Sequence, residues 1–237
     1  MFDAHLIMGD DHFKLIEEDP SVNILDELLA LHHKYQSPFM KFVNYYKEVP
    51  IVADAEILYA FGDTLSCRTT PAQVKAIQHN KHTILRSSRL RHDIYATANY
   101  RTETDEVELA DFAYVEVMPD RRASIRVKMG TPLSVMVEAG TEQIPGRMRD
   151  LSLLGCAIDI ADASLLGNYS YFYLNMDLPF LTFKGKSNTR IMAKLIRTEE
   201  VRKGVRCIML FEHDKTTEDQ IGRLLAQRQG EIIRELK

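Results

Sequence analysis

The 237-residue chain has no tryptophan, only three cysteines and no excess of positive charge. Each shortage removes a class of function. The formal net charge is −4, from 30 Lys and Arg against 34 Asp and Glu, whereas a general nucleic-acid binder is basic overall. Binding single strands would further need an aromatic platform in a broad basic groove, which an acidic chain without tryptophan does not offer. Cys67, Cys156 and Cys207 cannot all pair, and each sits in a strand-like run. That fits a reducing compartment rather than a disulfide scaffold. No apolar run approaches the length of a membrane span. Asp3, Asp10 and Asp11 interrupt any apolar start that could act as a signal peptide. The expectation is a cytoplasmic protein.

Catalytic signatures are equally scarce. Gly185-Lys186-Ser187 looks like the end of a P-loop, but Phe180 stands where that motif requires glycine. Asp150-Leu151-Ser152 lacks the glycine two residues before the serine that a nucleophile elbow needs. His79 and His82 flank a turn without Cys or carboxylate partners at ligand spacing, and His32-His33 adds none. All four read as surface histidines, and no metal is expected. Neither a Cys/His pair nor a carboxylate pair emerges. The chain reads as a binding protein, not an enzyme, and without a resident cofactor.

With 45% hydrophobic and 27% charged residues, the chain has the composition of an ordinary globular protein with one large or two small domains. Ser21 is an expected N-cap for a helix carrying Val22, Leu25, Leu28 and Leu29 on one side. Ser37-Pro38 interrupts it, and Phe39, Phe42, Val43 and Tyr46 predict a second amphipathic helix. These leading helices are expected to pack on the next domain or on another subunit. From Val49 to Val117 the texture changes to short strands: 56–61, 64–68, 73–77, 83–87, 94–101, 107–109 and 114–117. Breakers such as Gly62-Asp63 and Pro71 separate them, as in a small antiparallel barrel. Arg86, Arg89 and Arg91 read there as a solvated basic face, or as a contribution to the ligand or to a partner surface.

Met118-Pro119-Asp120 predicts a linker, because proline cannot extend a ladder. A second set of strands follows at 125–129, 133–137, 147–150, 156–160, 171–178, 191–198 and 205–211, with a hairpin turn at Lys203-Gly204. Thr217-Glu218-Asp219-Gln220 reads as a capping box for a closing helix. The fold class expected is mainly β: two small antiparallel β-barrels in tandem, with N-terminal helices and a C-terminal helix. The expected domains are an N-terminal helical segment (1–48), a barrel (49–118) and a second barrel (119–237), with 119–126 as a ligand-binding linker.

Positive charge is concentrated around that linker, at Arg121, Arg122, Arg126, Lys128, Arg147 and Arg149. Arg pairs a planar fork of donors with two phosphate oxygens, and can donate in parallel to guanine O6 and N7. One hairpin later, Asp150 offers a carboxylate that could accept from the N1–H and amine on guanine's other edge. Ser152 offers a hydroxyl, and Gly155 lets a ligand approach the main chain where a Cβ would collide. Together these describe a receptor for a phosphate-bearing guanine nucleotide.

Arg122-x-x-x-Arg126 followed by Asp150-x-Ser152-x-x-Gly155 resembles the two-part signature of the PilZ domain, a bacterial receptor module for cyclic di-GMP. The resemblance covers about Pro119 to Lys237. Val49 to Val117 more faintly resembles the amino-terminal barrel of flagellar-brake-type PilZ proteins. It implies a role in second-messenger control of motility, biofilm or exopolysaccharide. Arg122 and Arg126 would take the phosphates and the Hoogsteen edge of guanine; Asp150 and Ser152 would take the base and the ribose-phosphate, with Gly155 beneath. Arg121 is similar to arginines that favour an intercalated ligand dimer, so one or two ligands per chain are both compatible. Arg147 and Arg149 lie on one face by alternation and are candidate additional contacts. Asp120 and Ile125 depart from the pattern, where relatives often carry a neutral polar and an aromatic residue. Two functions fit: a cyclic di-GMP receptor whose ligand reorients its domains and alters contact with a downstream protein, or a ligand-independent adaptor docking to a motility or secretion machine. A homodimer is compatible with either.

Overall fold

The computed structural model describes residues 12–17, 23–35, 38–100, 104–118, 124–167, 169–180, 185–212 and 214–236. The chain divides into two compact units: Met1–Tyr46, Pro50–Arg122 and Arg234–Lys237 form the first, and Lys47–Val49 with Ala123–Ile233 the second. Among the described residues no helix is long and apolar enough to cross a membrane.

In the first unit, β1 (Phe13–Leu15), β2 (Met40–Tyr46), β3 (Val49–Phe61), β4 (Thr64–Arg68), β5 (His82–Arg86), β6 (Asp93–Tyr100) and β7 (Glu106–Val117) join in the order β1-β7-β4-β3-β2-β5-β6. A further β7–β6 pairing joins the far end of this sheet to β7, so six strands form a ring, and β1 pairs with the Val115–Val117 end of β7. Leu28 of helix α1 (Ile24–Tyr35) is buried with Phe42, Leu65, Ile77, Leu85 and Leu109. Asn23 caps α1, accepting from the Leu25 amide at 3.0 Å; the expected cap Ser21 lies outside the described residues.

Two expected elements change type. Met40–Tyr46 is strand β2, not a helix, so the leading segment is not purely helical. Its i, i+3, i+4 spacing arises because the strand is buried on both sides. Met40 and Phe42 join one core cluster, while Val43 and Tyr45 join a second with Ile84, Tyr95, Val115 and Val117. A doubly buried strand loses the period-2 signal. Conversely, 73–77 is not a strand but part of helix α2 (Pro71–Asn80). Thr70 caps it by accepting from the Gln73 amide at 3.3 Å, Pro71 occupies the first turn, and Lys81 ends it at φ +65°. Thr-Pro is a helix-start signal that outweighs five ambiguous residues. His82 is buried against Phe13 and Tyr95 rather than at the surface. Arg86 forks onto Asp93 at 2.5–3.1 Å, and Arg89 lies 3.6 Å over the Tyr35 ring. That basic run is therefore partly spent on structure.

The second unit is a closed barrel of β8 (Arg126–Ala139), β9 (Glu142–Ser152), β10 (Gly155–Ile160), β11 (Tyr171–Phe180), β12 (Gly185–Val201) and β13 (Gly204–Glu212), ordered β10-β13-β12-β11-β8-β9. Val127, Val137, Met148, Leu151, Ile158, Phe172, Leu174 and Cys207 fill it. Helix α3 (Lys215–Glu235) buries Ile221, Leu224, Leu225 and Ile232. Its cap is Asp214, whose carboxylate accepts from the Thr217 amide and hydroxyl at 2.8 and 2.9 Å. Gln220, expected to close a capping box with Thr217, instead accepts from the Thr189 hydroxyl of β12 at 3.0 Å. The last hairpin turns through Arg202-Lys203, with Gly204 at φ +107°.

Candidate functional site

The site is built on the outer face of β8, β9 and β10. Arg126 pairs in register with Ser152, Val127 with Leu151 and Lys128 with Asp150. Val127 and Leu151 are buried in the barrel, so strand alternation sends Arg126, Lys128, Asp150 and Ser152 to the other side. A bulge makes this possible. Asp150 pairs with Ala157 and Met148 with Ile158, which leaves Arg149 without a partner on β10. Because β9 carries that extra residue, the neighbours Arg149 and Asp150 both leave the barrel interior. Regular alternation would have sent one of them inward.

Four of the sequence-derived residues meet here. Arg126 Nε lies 3.5 Å from Asp150 Oδ1, with the side chains 33% and 16% exposed. This is a loose pair, open to competition by a ligand. The Ser152 hydroxyl donates to the Gly155 carbonyl at 3.0 Å and accepts from the Gly155 amide at 3.1 Å. It therefore closes the β9–β10 turn upon itself. A Cβ on Gly155 would stand 2.2 Å from the Met209 carbonyl oxygen of β13. The glycine is thus required by the barrel's own backbone, a different reason from the ligand clearance expected from the sequence. Arg121 and Arg122 lie outside the described residues.

Arg147 and Arg149 are exposed on the outer side of β9, flanking buried Met148. Arg149 is engaged: its Nε donates to Asp159 Oδ2 at 2.6 Å. Arg206 of β13 approaches the same carboxylate from the other side, at 2.8 Å to Oδ1 and 3.3 Å to Oδ2. Burial pushes the Asp159 carboxyl upward, but the hydrogen bonds from Arg206 and Arg149 outweigh it and hold the group below the usual carboxylate range. Asp159 and Arg206 were not singled out from the sequence. The available signal was a lone carboxylate inside the apolar run Cys156–Ile160, which a folded barrel tolerates only when paired. Among the described residues no group of three or more His, Cys, Asp or Glu is placed to hold a metal ion.

A closed six-stranded barrel with Asp150, Ser152 and Gly155 at one of its turns and Arg126 alongside defines a class of domain. Residues 120–227 match the family model described as the PilZ domain, and this part of the chain is a PilZ domain. Among solved structures, the chain is similar to YcgR of Escherichia coli in complex with c-di-GMP, at 15% identity and TM-score 0.39, covering 89% of this chain and 91% of that one. It is also similar to the PilZ domain of the same protein with c-di-GMP, at 20% identity and TM-score 0.41, covering 48% and 96%. The motility inhibitor MotI/DgrA of Bacillus subtilis is similar at 12% identity and TM-score 0.39, covering 83% and 94%. No curated protein sequence matches the chain.

Proposed function

We propose that this chain is a receptor for cyclic di-GMP, and that its work is binding and signalling rather than catalysis. The observation that carries the reading is the shared outer face of Arg126 and Asp150, beside a turn that Ser152 and Gly155 hold in shape. Arg126 has donors for phosphate or for guanine O6 and N7. Asp150 can accept from the opposite edge of the base once Arg126 swings from it to the ligand. Arg121 and Arg122 supply the remaining cations from the segment preceding β8. Neutralising three arginines in six residues would change how the 119–126 segment holds the two units. A downstream protein reads that difference. The match of residues 120–227 to the PilZ domain supports the choice of ligand.

The test is isothermal titration of the full chain with cyclic di-GMP, with an Arg122→Ala, Arg126→Ala double variant alongside. Removal of each guanidinium is expected to weaken binding by about tenfold or more, so the double variant should give no measurable heat at micromolar concentrations while keeping its circular dichroism spectrum. The wild-type stoichiometry reports whether one or two nucleotides bind. Absence of heat and of any thermal shift in the wild type would sink the receptor reading.

A further inference from the structure

The PilZ unit carries a second concave feature, a cavity of about 740 Å3 on the outer side of its barrel. This volume lies within the roughly 300–1,000 Å3 typical of small-molecule sites. It runs from Arg149, the neighbour of Asp150 on β9, to Ile160 at the far end of β10, and none of Arg126, Asp150, Ser152 and Gly155 lines it.

Three cations line the cavity, Arg147, Arg149 and Lys203. The Arg147 and Lys203 side chains have no hydrogen-bond or ion-pair partner among the described residues. The two carboxylates in the wall are already occupied. Asp159 is held by Arg149 and Arg206, and Asp177 accepts from the Asn188 amide at 3.2 Å. With Arg206 on Asp159, four cations stand against two carboxylates around the cavity, which favours an anionic guest. Met136 and Pro145 add apolar surface to the lining and Ser134 a hydroxyl. That mixture suits a molecule with an apolar or aromatic body and a charged end.

We propose that this cavity is a separate site for a small phosphate ester of mononucleotide size. Its phosphate lies between Arg147 and Lys203, and its body rests on Met136 and Pro145. Arg147 belongs to this site rather than to the motif end of the barrel.

The full chain is titrated with guanosine monophosphate, inorganic pyrophosphate and guanosine. The monophosphate and pyrophosphate should bind saturably, with guanosine at least about tenfold weaker, since a contact to a charged group is worth that factor. Arg147→Ala and Lys203→Ala should each weaken the monophosphate about tenfold, whereas Arg126→Ala should leave its affinity unchanged. Lys203→Ala, in an exposed turn, keeps the test available if the strand variant is unstable. No saturable binding of either phosphate compound up to millimolar concentration overturns the proposal. So does guanosine binding as tightly as its monophosphate, or binding that survives loss of both cations. Loss in Arg126→Ala would overturn it too, placing the guest at the motif and leaving the receptor reading intact.

Discussion

Replacing Gly155 by alanine separates a folding role from a ligand-clearance role. The added Cβ would meet the Met209 carbonyl oxygen at 2.2 Å, so β13 has to retreat by roughly 1 Å to restore ordinary contact. Gly155 pairs with Leu210 in the β10–β13 ladder, and the Phe211 amide donates to the Leu154 carbonyl at 2.8 Å just beside it. The retreat therefore stretches hydrogen bonds as well as crowding atoms. Overpacking costs about 1–3 kcal/mol and a weakened hydrogen bond about 1 kcal/mol, so a loss of about 3 kcal/mol is expected. In urea, where stability falls by about 1–3 kcal/mol per molar, the midpoint of the PilZ unit should drop by about 1–3 M. Gly222→Ala is the internal control. It lies in α3 with nothing within 4 Å of its would-be Cβ, and should raise stability by about 1 kcal/mol. Both are read by circular dichroism, with cyclic di-GMP titration of the folded protein. A Gly155→Ala protein of unchanged midpoint that no longer binds nucleotide would refute the argument and return the glycine to the ligand.

Asp159 carries a pH prediction. Its carboxyl is held below the usual range in the folded chain, so its ion pairs contribute stability above the ordinary aspartate pKa of about 3.9, and that contribution fades as pH falls through the lowered value. Thermal midpoints of wild type and Asp159→Asn should differ most above about pH 4 and converge in stronger acid; a gap independent of pH would contradict the pairing. The thiols carry another. Cys67, Cys156 and Cys207 are all buried, and burial pushes each thiol up, Cys207 to about 11. None should react with a thiol-specific reagent at pH 8 in the native protein, and all three should react in urea; one fast native thiol would show that a strand opens.

The sequence exposed the second unit more fully than the first, for reasons visible in single residues. Strands of the PilZ barrel have one buried and one outer side, so Ser134-Val135-Met136-Val137 announces itself by alternation. In the first unit β2 is buried on both sides, and its apolar spacing mimics a helix. α2 was hidden by its length, although Thr70-Pro71 spelled its start. At the site, Asp150 and Ser152 were legible as a motif, but their common outer face depends on a bulge at Arg149 that no spacing rule reveals. Asp159 and Arg206 were invisible as a pair because they lie on different strands that meet only when the barrel closes.

The closeness of Gly155 to the Met209 carbonyl also has a temporal meaning. Every residue of the two-part motif has been synthesised by Gly155, yet the turn that presents it packs on a strand that ends at Glu212. During translation the motif therefore exists as sequence long before it exists as a surface. A chain interrupted before β13 would carry all the signature residues and still lack the backbone against which they are set. Competence to bind then reports that synthesis has passed the last strand of the barrel.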